Sequence, residues 1–291
     1  MKNPLRNIYS YVIFKYGVNI MGLAEGYDAW IITIGNEILI GKIVNTNFAW
    51  LGRKLTLLGY KVRRGIIVPD DIDDIADAFR SAMKAKVKAV ISTGGLGPTF
   101  DDKTAEGLAV ALEVGLELNK EALEMVRKKY QEKNLELTEH RVKMAKLPKG
   151  AMPIPNAVGT APGIHIIHGF THIFALPGVP KEMMVMFENY VEPILKKIGP
   201  KLFFIERSII TKGIPESTIA PIIDMVMKRR RVYIKSHPRT SESGEYIVEL
   251  HITASSMKKE RAEEEVNRAS EILIKEIKKL GGIIEKDSDY K

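Results

Sequence analysis

The 291-residue sequence contains no cysteine and a single glutamine, Gln131. The absence of cysteine excludes disulfide bonds, thiol catalysis and thiolate metal sites in this chain, and it is typical of a cytoplasmic protein. The scarcity of glutamine beside many lysine, arginine, glutamate and isoleucine residues indicates adaptation to high temperature.

The sequence also has no long apolar run. The best candidate, residues 8–14, is followed at once by Lys15. A membrane-spanning helix needs about 20 consecutive apolar residues, so we expect no membrane segment. We expect residues 1–27 to form a poorly ordered extension.

The net charge of +8 at pH 7 permits an anionic partner. The densest basic run, residues 228–231, ends a predicted helix, where cations complement the helix dipole. Basic and aromatic residues do not alternate as they do in single-stranded nucleic acid sites. Nucleic acid is therefore not an expected partner.

From residue 29 onwards, apolar strands alternate with amphipathic helices. Residues 29–35, 60–68 and 87–93 are strand-like, and a helical pattern follows each of them. This order predicts a mostly parallel sheet covered by helices on both faces. Two further strands at 164–167 and 172–176 precede a helix over residues 181–198.

The chain after Gly199 and Pro200 has its own β-α-β-β-α pattern, which predicts a second, smaller α+β domain. It lacks the GxxG clamp of RNA-binding KH modules. We expect four segments, namely an extension over 1–27, an α/β domain over 28–198, the small domain over 201–281 and a tail over 282–291.

Polar loops follow the first three strands, where open parallel sheets bind their ligands. The loop TGGLGPT, residues 93–99, has the glycines that let backbone N–H groups approach a phosphate directly. The adjacent Asp101 and Asp102, and Asp70 and Asp71 after the second strand, could hold a divalent cation beside that phosphate. Asp102 has a second interpretation, as the cap of the helix beginning near Lys103.

The sequence has no G-x-x-x-x-G-K-[ST] motif, so a P-loop is excluded. The G-x-G-x-x-G fingerprint is missing from the first strand turn, and no G-x-S-x-G elbow occurs. We therefore expect neither a dinucleotide-binding fold with the G-x-G-x-x-G fingerprint nor a serine hydrolase with a G-x-S-x-G nucleophile elbow. The histidines of HIIHGFTH, namely His165, His168 and His172, are interpreted as sheet residues rather than metal ligands.

Five ordered motifs resemble the CinA family of competence/damage-inducible proteins: GNEILIGKIVNTN, VPDD, TGGLGPTFDDKT, NAVGTAPG and LPGVPKEM. The resemblance covers residues 28–281. It implies a three-layer molybdopterin-binding fold of the MogA and MoaB kind, followed by a KH-like domain. The chain ends before the deamidase domain of many CinA proteins, so we expect it not to deamidate nicotinamide mononucleotide.

The resemblance implies a divalent-metal-dependent ADP-ribose pyrophosphatase that uses Mg²⁺, Mn²⁺ or Co²⁺. Asp102 and Asp70 are then the catalytic residues, and Asp102 with Asp101, Asp70 or Glu37 would hold the metal. The expected phosphate- or nucleotide-binding residues lie in the loops at the carboxyl ends of the predicted strands. They are Thr33, Gly35, Glu37 and Asn45 after the first strand and Gly94, Gly95, Gly97, Pro98 and Thr99 after the third, with Lys103 or Lys181 adding a point charge.

A protein that binds a pterin or nucleotide phosphate without turnover is the alternative. Leu96 stands where the molybdopterin relatives usually have threonine, which argues against a direct molybdopterin role. The resemblance to CinA proteins implies a dimer. The helix predicted over residues 181–198 carries a cluster of apolar residues that predicts a subunit interface, namely Met183, Met184, Met186 and Phe187. We therefore expect a homodimer joined through the main domains.

Overall fold

The computed structural model describes residues 26–240 and 245–289, which fall into two compact units divided after Pro200. The predicted extension over 1–27 lies outside the described residues, apart from Gly26 and Tyr27. Within the described part of the chain, no helix combines the length and apolarity needed to cross a membrane.

The first unit is built on a six-stranded mixed sheet with the order β2-β1-β3-β8-β7-β6. Three of its five strand pairings are parallel, and the hairpin β7–β8 and the pair β6–β7 are antiparallel. The short strands β4 and β5 form a separate antiparallel pair. The strands are β1 Asp28–Ile34, β2 Lys61–Val68, β3 Ala89–Thr93, β4 Leu116–Leu118, β5 Lys146–Pro148, β6 Met152–Ile154, β7 Gly163–His168 and β8 Thr171–Leu176.

Helices cover both faces of this sheet, because β1 is apolar at every position from Ala29 to Ile34 except Thr33. One face packs on Phe79 and Leu108, and the other packs on Leu51 and Met186. The predicted three-layer, mostly parallel fold is thus confirmed. The helices are α1 Asn36–Leu39, α2 Thr46–Leu57, α3 Ile72–Lys84, α4 Thr104–Leu112, α5 Lys120–Gln131, α6 Glu139–Lys143, α7 Pro180–Met186 and α8 Glu192–Ile198, with a π-helical turn Phe187–Val191 between the last two.

The second unit is a four-stranded antiparallel sheet with the order β10-β11-β9-β12. Its core contains Leu250 from the central strand and Val266 and Leu273 from the long helix. Its elements are β9 Phe203–Lys212, α9 Glu216–Arg229, β10 Tyr233–Thr240, β11 Tyr246–Ser256, α10 Lys259–Lys279 and β12 Ile283–Asp289.

Two expectations are corrected here. The tail predicted over 282–291 contains strand β12, which pairs with β9 across a bulge between Ile284 and Lys286. The methionine-rich segment does not provide an apolar surface, because Met183, Met186 and Phe187 are buried in the unit's own core. That segment therefore no longer supports the predicted dimer.

Candidate functional site

A cavity of about 560 Å³ lies at the carboxyl ends of β1, β3 and β8. Such a volume falls within the range of small-molecule sites. The predicted convergence of loops at this edge of the sheet is therefore present. The lining residues with charged or amide side chains are Glu37, Asn45, Asn47, Asp70, Asp101, Asp102 and Glu182.

The glycine turn after β3 admits no side chain at its first two positions. Gly94 and Gly95 have φ angles of 105° and 64°. A Cβ on Gly94 would lie 2.1 Å from the carbonyl oxygen of Ile34, and one on Gly95 would lie 2.4 Å from Thr104 Oγ1. The Thr104 hydroxyl donates to Gly94 O at 2.7 Å and fixes the turn against the start of α4. The backbone of the turn therefore forms the cavity wall directly.

The acidic turn that follows is closed by Asp102. Its Oδ2 accepts a hydrogen bond from Thr99 N at 2.8 Å, and the Thr99 hydroxyl lies against both Asp102 and Asp101. The hydrogen bond from Thr99 is the first reason that the pKa of Asp101 lies below its ordinary value. Helix α4 has Lys103 at its N-cap position without a side-chain cap. The helix-cap interpretation of Asp102 is therefore wrong.

The aspartates after β2 divide into one cavity residue and one cap. Asp70 lines the cavity, and its Oδ2 accepts from Asn36 N at 2.9 Å. Asp71 caps α3 by accepting from Asp73 N at 2.9 Å and from Asp74 N at 3.4 Å. Asp70 thus orders the loop after β1, whereas Asp71 stabilises a helix.

Two asparagines at the start of α2 complete the polar wall. Asn45 caps the helix by accepting from Phe48 N at 3.0 Å, and its Nδ2 donates to Thr33 Oγ1 at 2.9 Å. Asn47 is buried, and its Nδ2 donates to Gly178 O at 2.8 Å. Its Oδ1 is also buried and has no hydrogen-bond partner among the described residues. An acceptor left in this way in a cavity wall favours a ligand that supplies a donor or a cation.

The cavity lining is strongly acidic. It contains five carboxylates, and among the described lining residues there is no lysine or arginine. Of the predicted site residues, Pro98, Thr99, Lys103 and Lys181 do not line the cavity. An anionic ligand would therefore meet backbone amides and would need a cation to offset the carboxylates.

Part of the cavity lining is apolar and exposed. Ile43, Val44 and Val179 line the cavity, and each residue is between 53% and 79% exposed. An acidic end beside an apolar wall suits a ligand with a phosphate at one end and a planar ring at the other.

A sequence model of the family described as "Probable molybdopterin binding domain" matches residues 30–197, a span that contains every residue of the cavity. The chain belongs to this family. A protein of Pyrobaculum aerophilum is 53% identical over 251 residues, covering 86% of this chain and 94% of the relative. A protein of Sulfolobus acidocaldarius is 48% identical over 257 residues, covering 88% and 96%.

Among solved structures, the CinA protein from Thermoplasma acidophilum, described as being of unknown function, is 47% identical with a TM-score of 0.55. It is matched over 99% of its length and covers 59% of this chain. The first unit is therefore a CinA-like molybdopterin-binding domain.

Glu182 was not among the site residues predicted from the sequence. It lies in the motif LPGVPKEM, and its hydrogen-bond partner Asn156 lies in the motif NAVGTAPG. Glu182 lines the cavity, and its Oε2 accepts from Asn156 Nδ2 at 2.7 Å. The Asn156 Oδ1 in turn accepts from Gly159 N at 2.7 Å. The two motifs are thus joined beside the cavity of the molybdopterin-binding domain by the hydrogen bond between Asn156 and Glu182.

The histidines lie away from the cavity lining. His165 is buried, stacks on Phe174 and lies 3.1 Å from His172 Nδ1 through its Nε2. Burial, and then the neighbouring His172, lower the pKa of His165 to about 4. Within the described residues, no three histidine, aspartate or glutamate side chains converge as a ready metal site. His165 and His172 are thus a packed pair within the sheet.

Proposed function

We propose that the molybdopterin-binding domain hydrolyses a nucleotide diphosphate, with ADP-ribose as the substrate that the CinA resemblance favours and with a divalent cation as cofactor. The observation that supports this proposal is the acidic cavity beside the glycine turn, which has backbone donors for phosphate and carboxylates for a cation. The donor set fits such an ion, because Mg²⁺ and Mn²⁺ prefer carboxylate and amide oxygens.

In this proposal, Asp102 and Asp101 hold the cation, with Glu37 or the unpartnered Asn47 Oδ1 within the same cavity lining. When bound, the cation would neutralise charge on the diphosphate and lower the pKa of the attacking water.

The chain's own groups do the rest. The amides of Gly95, Leu96 and Gly97 donate to the phosphoryl oxygens as their charge increases, whereas Gly94 N already donates to Leu176 O at 3.0 Å. Asp70, held by Asn36 N, accepts the proton of the water that attacks phosphorus. The bond between phosphorus and the bridging oxygen then breaks and yields AMP and ribose 5-phosphate. The apolar wall of Ile43, Val44 and Val179 packs on the adenine ring.

A second candidate function is binding of a pterin or nucleotide phosphate without turnover. Family membership favours it, because the family is described by molybdopterin binding. The lack of a ready three-ligand metal cluster within the described residues favours it as well. One observation counts against a pterin ligand, because Leu96 lines the cavity and supplies no hydroxyl to a pterin phosphate.

Turnover with chosen metals separates the two functions. Purified protein is incubated with ADP-ribose, NAD or FAD, each with Mg²⁺, Mn²⁺, Co²⁺ or EDTA, and the products are separated by chromatography. Release of AMP and ribose 5-phosphate above the EDTA control supports the hydrolase. Saturable binding of ADP-ribose with no release under any metal supports the binding protein.

We also propose that the chain forms a homodimer through this domain. The support is the resemblance to CinA together with exposed apolar side chains at the β6–β7–β8 edge of the sheet, where Met152, Ile167 and Phe170 are between 42% and 53% exposed.

A further inference from the structure

Lys143 joins the acidic turn to a distant part of the chain. Its Nζ donates to Asp102 O at 2.7 Å and to Thr99 O at 2.9 Å, which are the two ends of the turn. Glu106 lies 3.9 Å from the same ammonium group. One lysine more than 40 residues downstream thus holds both ends of the segment that carries Asp101 and Asp102.

The turn needs such an anchor because its side chains repel one another. Asp101 and Asp102 are adjacent carboxylates, and both lie against the single hydroxyl of Thr99. The carbonyl oxygens at the two ends of the turn accept from Lys143 Nζ, and Lys143 does not line the cavity. Its positive charge offsets the repulsion while the cavity lining stays acidic.

The support for Lys143 is itself fixed. Lys143 is the last residue of α6, and the next residue, Met144, is buried in the core of the domain. Arg141 of the same helix lies 4.2 Å over the ring of Tyr130 in α5. The segment of the chain between β4 and β5 therefore packs against the domain where it carries this ammonium group.

We propose that Lys143 is a positioning residue that holds the Thr99–Asp102 turn so that its carboxylates bind a divalent cation. The inference rests on the proposed function for the cation. Two effects of Lys143 oppose each other, since its charge repels a cation while its hydrogen bonds order the ligands. The double charge of the cation doubles the Coulomb repulsion from the ammonium group, but solvent screens that repulsion, whereas the two hydrogen bonds from the charged donor act directly on the ends of the turn. We therefore expect the ordering effect to prevail.

The absence of cysteine from the sequence permits a precise chemical test. In Lys143→Cys the introduced thiol is unique, and 2-bromoethylamine alkylates it. A carbon–sulfur bond forms, bromide leaves, and an ammonium group is restored at nearly the reach of lysine. Iodoacetamide gives the matched neutral adduct. Lys146→Cys, treated in the same ways, is the control. Lys146 lines a second, small cavity together with Lys143 and Asp102, but Lys146 is exposed.

Two readouts are taken on the full chain without substrate. Mn²⁺ binding is measured by the loss of the free-ion EPR signal, and order in the turn is measured by hydrogen–deuterium exchange of peptides that cover residues 93–103. We expect Lys143→Cys and its neutral adduct to bind Mn²⁺ about tenfold more weakly and to exchange faster in that segment. The aminoethylated protein should recover both properties, and no form of Lys146→Cys should differ from wild type.

Each other outcome overturns the inference. Equal or tighter Mn²⁺ binding by Lys143→Cys would mean that repulsion prevails, and faster exchange with unchanged binding would leave Lys143 a structural residue only. Weaker binding that aminoethylation does not restore would exclude the ammonium group as the cause. If wild-type protein binds no Mn²⁺, the metal in the proposed function fails together with this inference. If wild type binds Mn²⁺ and hydrolyses ADP-ribose while the variants match it, only the inference fails.

Discussion

Asp102 shows how one carboxylate can serve both a turn and a site. Its Oδ2 closes the turn on Thr99 N, and its Oδ1 has no hydrogen-bond partner among the described residues while the side chain lines the cavity. An asparagine at this position can still accept from Thr99 N with its amide oxygen, so the turn survives while the charge is lost.

We expect Asp102→Asn to melt within a few degrees of wild type. Metal-dependent hydrolysis should fall by about a hundredfold, the size typical of losing one electrostatic partner of the transition state. Asp71→Ala is the matched control, because Asp71 caps α3 and does not line the cavity. It should cost about 1 kcal/mol of stability and leave turnover unchanged. A lower melting temperature with full activity in Asp102→Asn would show that the carboxylate serves the turn alone.

His165 makes stability depend on pH. Its folded pKa of about 4 lies below the unfolded value because of burial and then the neighbouring His172, whose own pKa is lowered by burial and by Lys88. Between about pH 6.5 and 4 the unfolded chain binds a proton that the folded chain does not, so stability is full above 6.5 and falls as the pH decreases. His165→Leu should therefore show a smaller decrease in melting temperature between pH 7.5 and 4.5. If the melting temperatures of variant and wild type decrease by the same amount over this pH range, His165 is not a source of the pH dependence.

Some site residues were predictable from the sequence because they occupy fixed places at strand ends. Thr33, Asp70 and Gly94 follow from where β1, β2 and β3 end, and all three line the cavity. Lys103 and Lys181 were assigned by proximity in sequence, but a side chain at a helix start can point outward, and neither lines the cavity. The sequence around Lys143 gives no indication of its role, because that role depends on contacts with residues more than 40 positions away.

At the scale of elements, hydrophobic period and caps predicted the long helices and the buried strands well. Helix α2 begins after Asn45 and ends before Gly59, as its cap and C-terminal glycine indicate. The three-residue strands β4, β5 and β6 are too short to show a period, and β5 and β6 contain proline. Strand β12 has the polar sequence IIEKDSD, and its pairing with β9 rather than its own pattern makes it a strand.

Asn45 couples helix α2 to strand β1, so its two bonds can be separated by mutation. Asn45→Ala loses both the cap to Phe48 N and the bond to Thr33, and we expect a loss of about 1 kcal/mol in the free energy of unfolding. Asn45→Asp keeps an acceptor for the cap but loses the donor to Thr33, so stability should stay near that of wild type. Urea unfolding checks both values, and equal losses in the two variants would mean that the cap contributes little.

At the scale of the whole molecule, the two units have separate cores. The first unit buries its apolar residues on the two faces of one sheet, and the second buries its own set between its sheet and two helices. Every residue that lines the cavity belongs to the first unit. The solved CinA protein of Thermoplasma acidophilum, matched over 99% of its length, covers 59% of this chain and has the same fold.

Together with the proposed hydrolase function and the proposed dimer, these facts predict that a fragment spanning Ala24–Pro200 folds, hydrolyses ADP-ribose and dimerises without the second unit. Its unfolding should be a single cooperative transition, because its core is complete. Light scattering at micromolar concentration should give twice the monomer mass for both the fragment and the full 32.6 kDa chain. A monomeric full chain would exclude the proposed dimer. A dimeric full chain with a monomeric fragment would instead assign the dimer contact to residues outside the molybdopterin-binding domain.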